Sequence, residues 1–134
     1  MLTIGIDPGK STGIAYAENG KITRLETLSF WGAIKVLENH KHAAIVLELP
    51  TNKAVWHNGA TSKKAIQRTG VNVGSCIREA ELIYEYLVMN EFNYLAVKPQ
   101  GKIDSKRFNQ VTGWQGGSNQ HTRDAGVLTL MKIK

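Results

Sequence analysis

The sequence predicts an α/β fold: a five-stranded mixed sheet, an antiparallel three-strand meander plus two parallel strands, flanked by helices on both faces. Three observations carry that prediction. The first 30 residues hold three apolar-rich runs separated by turn signals, which is the pattern of a meander. Beyond them, short strand-like runs alternate with stretches of helical periodicity, an order that builds parallel strands joined by helical crossovers. The length, 134 residues, suits one domain with a single hydrophobic core, and no internal repeat divides it.

The elements follow in order. Residues 2–7, 12–17 and 21–30 are the meander strands, broken by Pro8-Gly9 and by Glu18-Asn19-Gly20, where Asn-Gly is a strong hairpin signal. Ser29 is placed to cap a short helix reaching about Asn39, with Trp31, Ile34 and Leu37 at helical spacing on one face. Residues 43–49 read as a fully buried strand that ends on Glu48 and is closed by Pro50. The stretch 51–69 is polar and basic, with Lys53, Lys63, Lys64 and Arg68 around Trp56 and His57, and reads as a surface loop or lid. Val73, Cys76, Ile77, Ala80, Ile83, Tyr84 and Leu87 recur at three and four residues, which predicts a long amphipathic helix over 71–89. A short strand at 94–97 is stopped by Pro99, a basic helix follows at 105–111, and 113–117 is a glycine-rich link. The final segment, 121–133, reads as a helix with Val127, Leu128 and Met131 inward.

Composition narrows the partners. Seventeen Lys and Arg against eleven Asp and Glu give a net charge of +6, which favours a polyanion, and nucleic acid in particular, over a chance excess of surface lysine. No apolar run approaches the ~18–20 residues of a membrane span, and Asp7 interrupts the N-terminal apolar run too early for a signal peptide. Cys76 is alone, so neither a disulfide framework nor a cysteine metal site is expected; buried packing and a reducing cytoplasm are.

The chemistry is carried by acids. Asp7 sits where an apolar strand runs into a turn, and Glu48 ends the other most apolar strand. Such strands are neighbours at the centre of a sheet, so their carboxylates converge at one edge. Asp124 lies near the start of the last helix, and His121 falls one turn earlier on the same face. Gathered carboxylates repel one another and call for a cation, and hard oxygen ligands select Mg²⁺ or Mn²⁺. Two such ions about 3.5–4 Å apart are the arrangement that activates a water and stabilises a leaving 3′ oxygen in phosphodiester cleavage. The plain alternative makes Asp7 a turn residue, Glu48 a strand-end charge and Asp124 a helix-start acid. For His121, a surface or packing role stands beside one next to the metal or in proton transfer.

The run Ile4-Gly5-Ile6-Asp7-Pro8-Gly9 with Thr12-Gly13, the strand ending in Glu48 and the pair Asp124-Ala125 resemble the RuvC family of Holliday junction resolvases, within the RNase H-like superfamily. The resemblance covers nearly the whole chain, because the order of elements agrees. It implies a homodimer that binds four-way DNA and nicks two opposing strands by Mg²⁺-dependent hydrolysis, leaving 5′-phosphate and 3′-hydroxyl ends. It makes Asp7, Glu48 and Asp124 metal ligands, and His121 stands where the family's fourth acid lies, a position some members also fill with His. Lys98 and Lys106 fall where the family places phosphate-contacting lysines, and Lys10, Lys53, Lys63, Lys64, Arg68, Lys102 and Arg107 complete the basic residues expected to meet DNA. The family often carries an aromatic residue shortly after the second acid, where this chain has Leu49-Pro50-Thr51; Trp56 either takes over that stacking role or covers the core. Gly70 and Gly74 on the long helix permit close backbone approach, making it a candidate dimer face, or are incidental. The short extension after the last helix fits a compact member of phage or prophage origin, working in the host cytoplasm.

Other readings compete. Gly5, Gly9, Lys10 and Ser11 imitate a nucleotide phosphate loop, but only three residues separate the glycines and a strand follows, so no nucleotide cofactor is expected. An acid-Pro-Gly turn between strands also marks the sugar kinase and actin type of ATPase, which needs two such domains. An RNase H-like nuclease acting on flaps, forks or RNA has the same sheet and acids. A non-catalytic junction-binding protein is a further alternative, weakened by the cost of keeping three clustered carboxylates without a cation.

Overall fold

The computed structural model describes residues 1–49 and 77–131. Five strands, β1 (Leu2–Asp7), β2 (Thr12–Glu18), β3 (Lys21–Leu28), β4 (Ala44–Glu48) and β5 (Asn93–Val97), form one sheet in the order β3-β2-β1-β4-β5. The first three pair antiparallel, and β1, β4 and β5 run parallel, as the alternation of strands and helices requires. Asn19 and Gly20, both at positive φ, close the β2–β3 hairpin.

Helix α1 (Phe30–Glu38) is started by Ser29, whose Oγ accepts from the Gly32 N–H at 3.2 Å. The described part of α2 covers 77–89. Helix α3 (Ser105–Thr112) is capped by Asp104 and ends on Gly113 in the left-handed region, the conformation glycine adopts without strain. Helix α4 (Gln120–Leu128) starts at Asn119.

Strand alternation divides the sheet into two unlike faces. Ile4, Ile6, Ile14, Tyr16, Ile45 and Leu47 point to one side, where they meet Ala33, Ile34 and Leu37 of α1 and Ala80, Ile83 and Leu87 of α2. Each isoleucine or leucine among them contributes roughly 1.5–3 kcal/mol when fully buried. The opposite face carries Gly5, Gly13, Ala15 and Val46, and α4 lies across it. A Cβ at Gly5 would overlap the Ala125 carbonyl oxygen, and one at Gly126 would run into the Phe108 ring. Small residues therefore let α4 approach the sheet, and α3 approach α4, at backbone contact distance.

Three expectations are corrected. Strand β3 stops at Leu28, because Ser29 turns the chain into α1. Trp31 is 76% exposed; the inward stripe of α1 is Ala33, Ile34 and Leu37, with Phe30 partly buried beside it. The last helix ends at Leu128, after which Thr129, Leu130 and Met131 bond three residues back instead of four. Its inward residues are Ala125, Gly126 and Leu128, while Val127 and Met131 are only partly buried. No helix among the described residues is long and apolar enough to cross a membrane.

Candidate functional site

On β1, the residues alternating with Ile4 and Ile6 are Thr3, Gly5 and Asp7; on β4, those alternating with Ile45 and Leu47 are Ala44, Val46 and Glu48. The parallel register pairs Gly5 with Val46 and Ile6 with Leu47, so the next step sets Asp7 beside Glu48 on the face covered by α4. Both acids are buried, at 9% and 8% exposure, and stand side by side at the sheet edge. Glu48 is fixed further by the Gln100 backbone N–H, which donates to Oε1 at 2.9 Å.

Helix α4 brings the remaining groups. Asn119 Oδ1 accepts from the Thr122 N–H at 3.0 Å, Thr122 Oγ1 accepts from the Asn119 N–H at 2.9 Å, and Asn119 Nδ2 donates to Thr27 Oγ1 at 3.1 Å. That capping box pins the helix start to β3. Across the β1–β2 pairing, Asp7 faces Gly13, and the His121 carbonyl occupies the space a Gly13 side chain would need. The glycine of the opening motif thus sets the first turn of α4 over Asp7. His121 Nδ1 lies 3.7 Å from Asp7 Oδ2, with the ring half exposed.

Asp124, one turn on, has both carboxylate oxygens engaged. Lys102 Nζ donates to Oδ2 at 3.0 Å and Gln120 Nε2 donates to Oδ1 at 2.7 Å. Arg123 braces the surroundings, donating from Nε to the Ile103 carbonyl and from its guanidinium to Ser118 and Gln120.

Asp7, Glu48, His121, Asp124, Lys10 and Lys102 line one open cleft of about 500 Å³, with Pro8, Gly9, Ser11, Pro99 and Gln100 completing its walls. The electrostatics show a negative site without enough positive charge. Burial, the hydrogen bond to Glu48 and the repulsion of Glu48 and Asp124 push the Asp7 carboxyl up to about 9, against a smaller opposing pull from Lys102. The hydrogen bond to Asp124 leads the causes that raise the Lys102 ammonium, with the attraction of Asp124, Asp7 and Glu48 adding to it against a burial cost. Among the described residues, no three His, Cys, Asp or Glu groups close on a common point as they stand. The donor set nevertheless fits a hard cation: its anionic groups are all carboxylate oxygens, two of them are buried side by side, and an ammonium already stands against a third.

The cleft thus gathers the four residues that the sequence singles out for chemistry, together with Lys10 and Lys102. Lys98, Lys106 and Arg107 are exposed but do not line it. Lys53, Trp56, Lys63, Lys64, Arg68, Gly70, Gly74 and Cys76 lie outside the described residues. Sequence reasoning missed Gln100, which acts through its backbone, and the role of Gly13. It also missed Gln120, although a position four residues before Asp124 is a readable signal.

No protein-family model matches the chain, and no curated protein matches it in sequence. Solved structures do match. Thermus thermophilus RuvC in complex with a Holliday junction substrate superposes with a TM-score of 0.61 at 15% identity, over 97% of this chain and 90% of that one. A second structure of Thermus thermophilus RuvC gives 0.57 at 14% identity, over 97% and 92%. The chain therefore has the RNase H-like fold in the form seen in RuvC.

Proposed function

We propose that this protein is a structure-selective DNA endonuclease that resolves four-way junctions by divalent-metal-dependent hydrolysis, making paired nicks with 5′-phosphate and 3′-hydroxyl ends. The observation that carries the reading is that Asp7, Glu48 and Asp124, from β1, β4 and α4, line one open cleft. The fold shared with a RuvC bound to a Holliday junction supports branched DNA as the substrate. The net charge of +6 supports a phosphate backbone as the partner.

In this reading, Asp7, Glu48 and Asp124 hold Mg²⁺, with Mn²⁺ as the alternative. Bound there, the metal supplies Lewis acidity for water activation and for stabilising the leaving oxygen. His121 stands at the half-exposed side of Asp7, where it can orient a water or carry a proton. Lys10 reaches the cleft from the turn after β1, and Lys98, Lys106 and Arg107 extend the basic surface for the DNA arms. The chain contributes one such cleft, and two opposed cuts in a two-fold junction need two, so the acting form is a homodimer. The setting is the cytoplasm of a cell or of a phage's host.

Asp7→Asn tests the reading. Nicking of a four-way junction in Mg²⁺ should fall by at least about 10³-fold while junction binding persists, since the variant removes an ionised oxygen but little volume. Strand-resolved products from matched junction, flap, duplex and RNA–DNA hybrid substrates identify the substrate class. Nicking by Asp7→Asn at the wild-type rate rules out the assignment.

A further inference from the structure

We propose that Trp31 and Lys35, on the first turns of α1, take an unpaired base and its phosphate from the DNA strand that runs out of the cleft past Lys10. The inference rests on the nuclease reading above and adds to it the path of one strand. The site lies on a different element from the stretch after Glu48.

The sheet puts the start of α1 at the cleft's own edge. Lys10 and Ser11 line the cleft and lead directly into Thr12, the first residue of β2. Thr12 pairs with Leu28, the last residue of β3, and Ser29 there turns the chain into α1. Trp31 therefore stands at the edge where β1 and β4 end on Asp7 and Glu48, beyond the turn that carries the exposed Lys10.

Of the large hydrophobic residues left exposed among those described, Trp31 is the only aromatic one, at 76%. Tryptophan is a side chain that folding ordinarily covers. Here it is held and left open at once, because the Phe30 ring, packed against the core, meets the indole at 79° with 5.0 Å between ring centroids. An indole fixed in this way offers a flat apolar surface that needs little further ordering. A base inside a paired stack has no face free to meet it, so the occupant is an unpaired base.

Charge favours a nucleotide over an apolar protein surface. Lys35 is exposed one turn after Trp31 on the same face of α1, about 6 Å further along the axis. Helical side chains lean toward the preceding turn, which suits the lysine to the phosphate of a base stacked on the indole. No acid lies in the first turn of α1, whose only one, Glu38, closes its far end. The only acid of β3, Glu26, is taken up by Tyr16 and Arg24.

The experiment measures binding without metal. The full chain is titrated in EDTA with a four-way junction, a linear duplex and oligothymidine, for wild type, Trp31→Phe, Trp31→Ala and Lys35→Met, following both affinity and tryptophan emission. Trp31→Ala should weaken oligothymidine and junction binding by about tenfold and duplex binding by under about twofold, since stacking requires a free base. Trp31→Phe should keep most of the affinity and lose the part of the oligothymidine quenching that Trp31 supplies. Lys35→Met should lower the salt slope for oligothymidine by about one. Both positions are exposed, so the variants keep the fold. Equal losses on duplex and oligothymidine, or unchanged quenching in Trp31→Phe, overturn the stacking site. A fall in sedimentation coefficient on Trp31→Ala would make Trp31 a contact between copies of the chain and overturn it too. Failure of wild type to nick a junction in Mg²⁺ overturns the nuclease reading alone, because the stacking site is tested without metal.

Discussion

The two faces of the sheet obey opposite rules. The face under α1 and α2 is paved with isoleucine, leucine and tyrosine and is held by volume. The face under α4 is paved with glycine and alanine and is held by closeness. The first supplies stability and no chemistry. The second gives up side-chain burial so that a helix carrying His121 and Asp124 can sit near enough to Asp7 and Glu48 for their charges to interact.

The contrast predicts opposite sensitivities. On the large-residue face, deletion should hurt: Ile6→Ala should cost about 2–5 kcal/mol, from lost transfer energy and a cavity that packed neighbours cannot fill. On the small-residue face, addition should hurt: Gly5→Ala should cost about 1–3 kcal/mol, because the new methyl meets the Ala125 backbone and not a side chain that can swing away. Chemical denaturation of both variants measures the pair. A neutral or stabilising Gly5→Ala would break the comparison, since methyl addition to a strand glycine is otherwise favourable.

Gly13→Ala sharpens it further. The clash is with the His121 carbonyl at the first turn of α4, at the end of the helix that can tilt. Relief by tilting should cost under about 2 kcal/mol of stability. It also moves His121 and Asp124 away from Asp7, so nicking should fall by about 10²-fold, the loss expected from roughly 1 Å of misplacement. A variant that loses stability and activity in proportion would show that Gly13 serves packing alone.

These glycines also mark the limit of what the sequence reveals. The order of strands and helices along the chain, the placement of Asp7 and Glu48 at adjacent strand ends and the arrival of Asp124 on the last helix were legible, because each follows from period-two or helical patterning and from turn residues. The exposure of Trp31 was not: residues 31, 34 and 37 fit helical spacing as well as the true stripe, and only the sheet's position decides between them. The end of α4 at Leu128 was hidden by apolar residues beyond it that keep the period while the backbone tightens. Gly5 and Gly13 read only as members of their strands and of the opening motif, since nothing local marks a glycine needed for its missing side chain. The engagement of Asp124 by Lys102 spans 22 residues of chain, and no periodicity records it.

The smallest effect tests whether the close-packed face bears a cost for its chemistry in the absence of metal. In the folded chain Asp7 retains its proton up to about 9, whereas at its ordinary value of 3.8 the unfolded chain has already released it. Between those values the folded state binds more protons than the unfolded one, so stability falls as pH rises. Wild type without divalent ions should therefore lose stability between about pH 5 and about pH 8. Asp7→Asn removes the titrating group and the repulsion with Glu48, so its profile should be flatter, and it should be the more stable protein at pH 8. Adding Mn²⁺ should reverse the order, because the ion stabilises a carboxylate pair and gains little from an amide. Parallel pH profiles for the two proteins would mean that Asp7 carries no buried charge to relieve, and that closeness on this face costs the fold nothing.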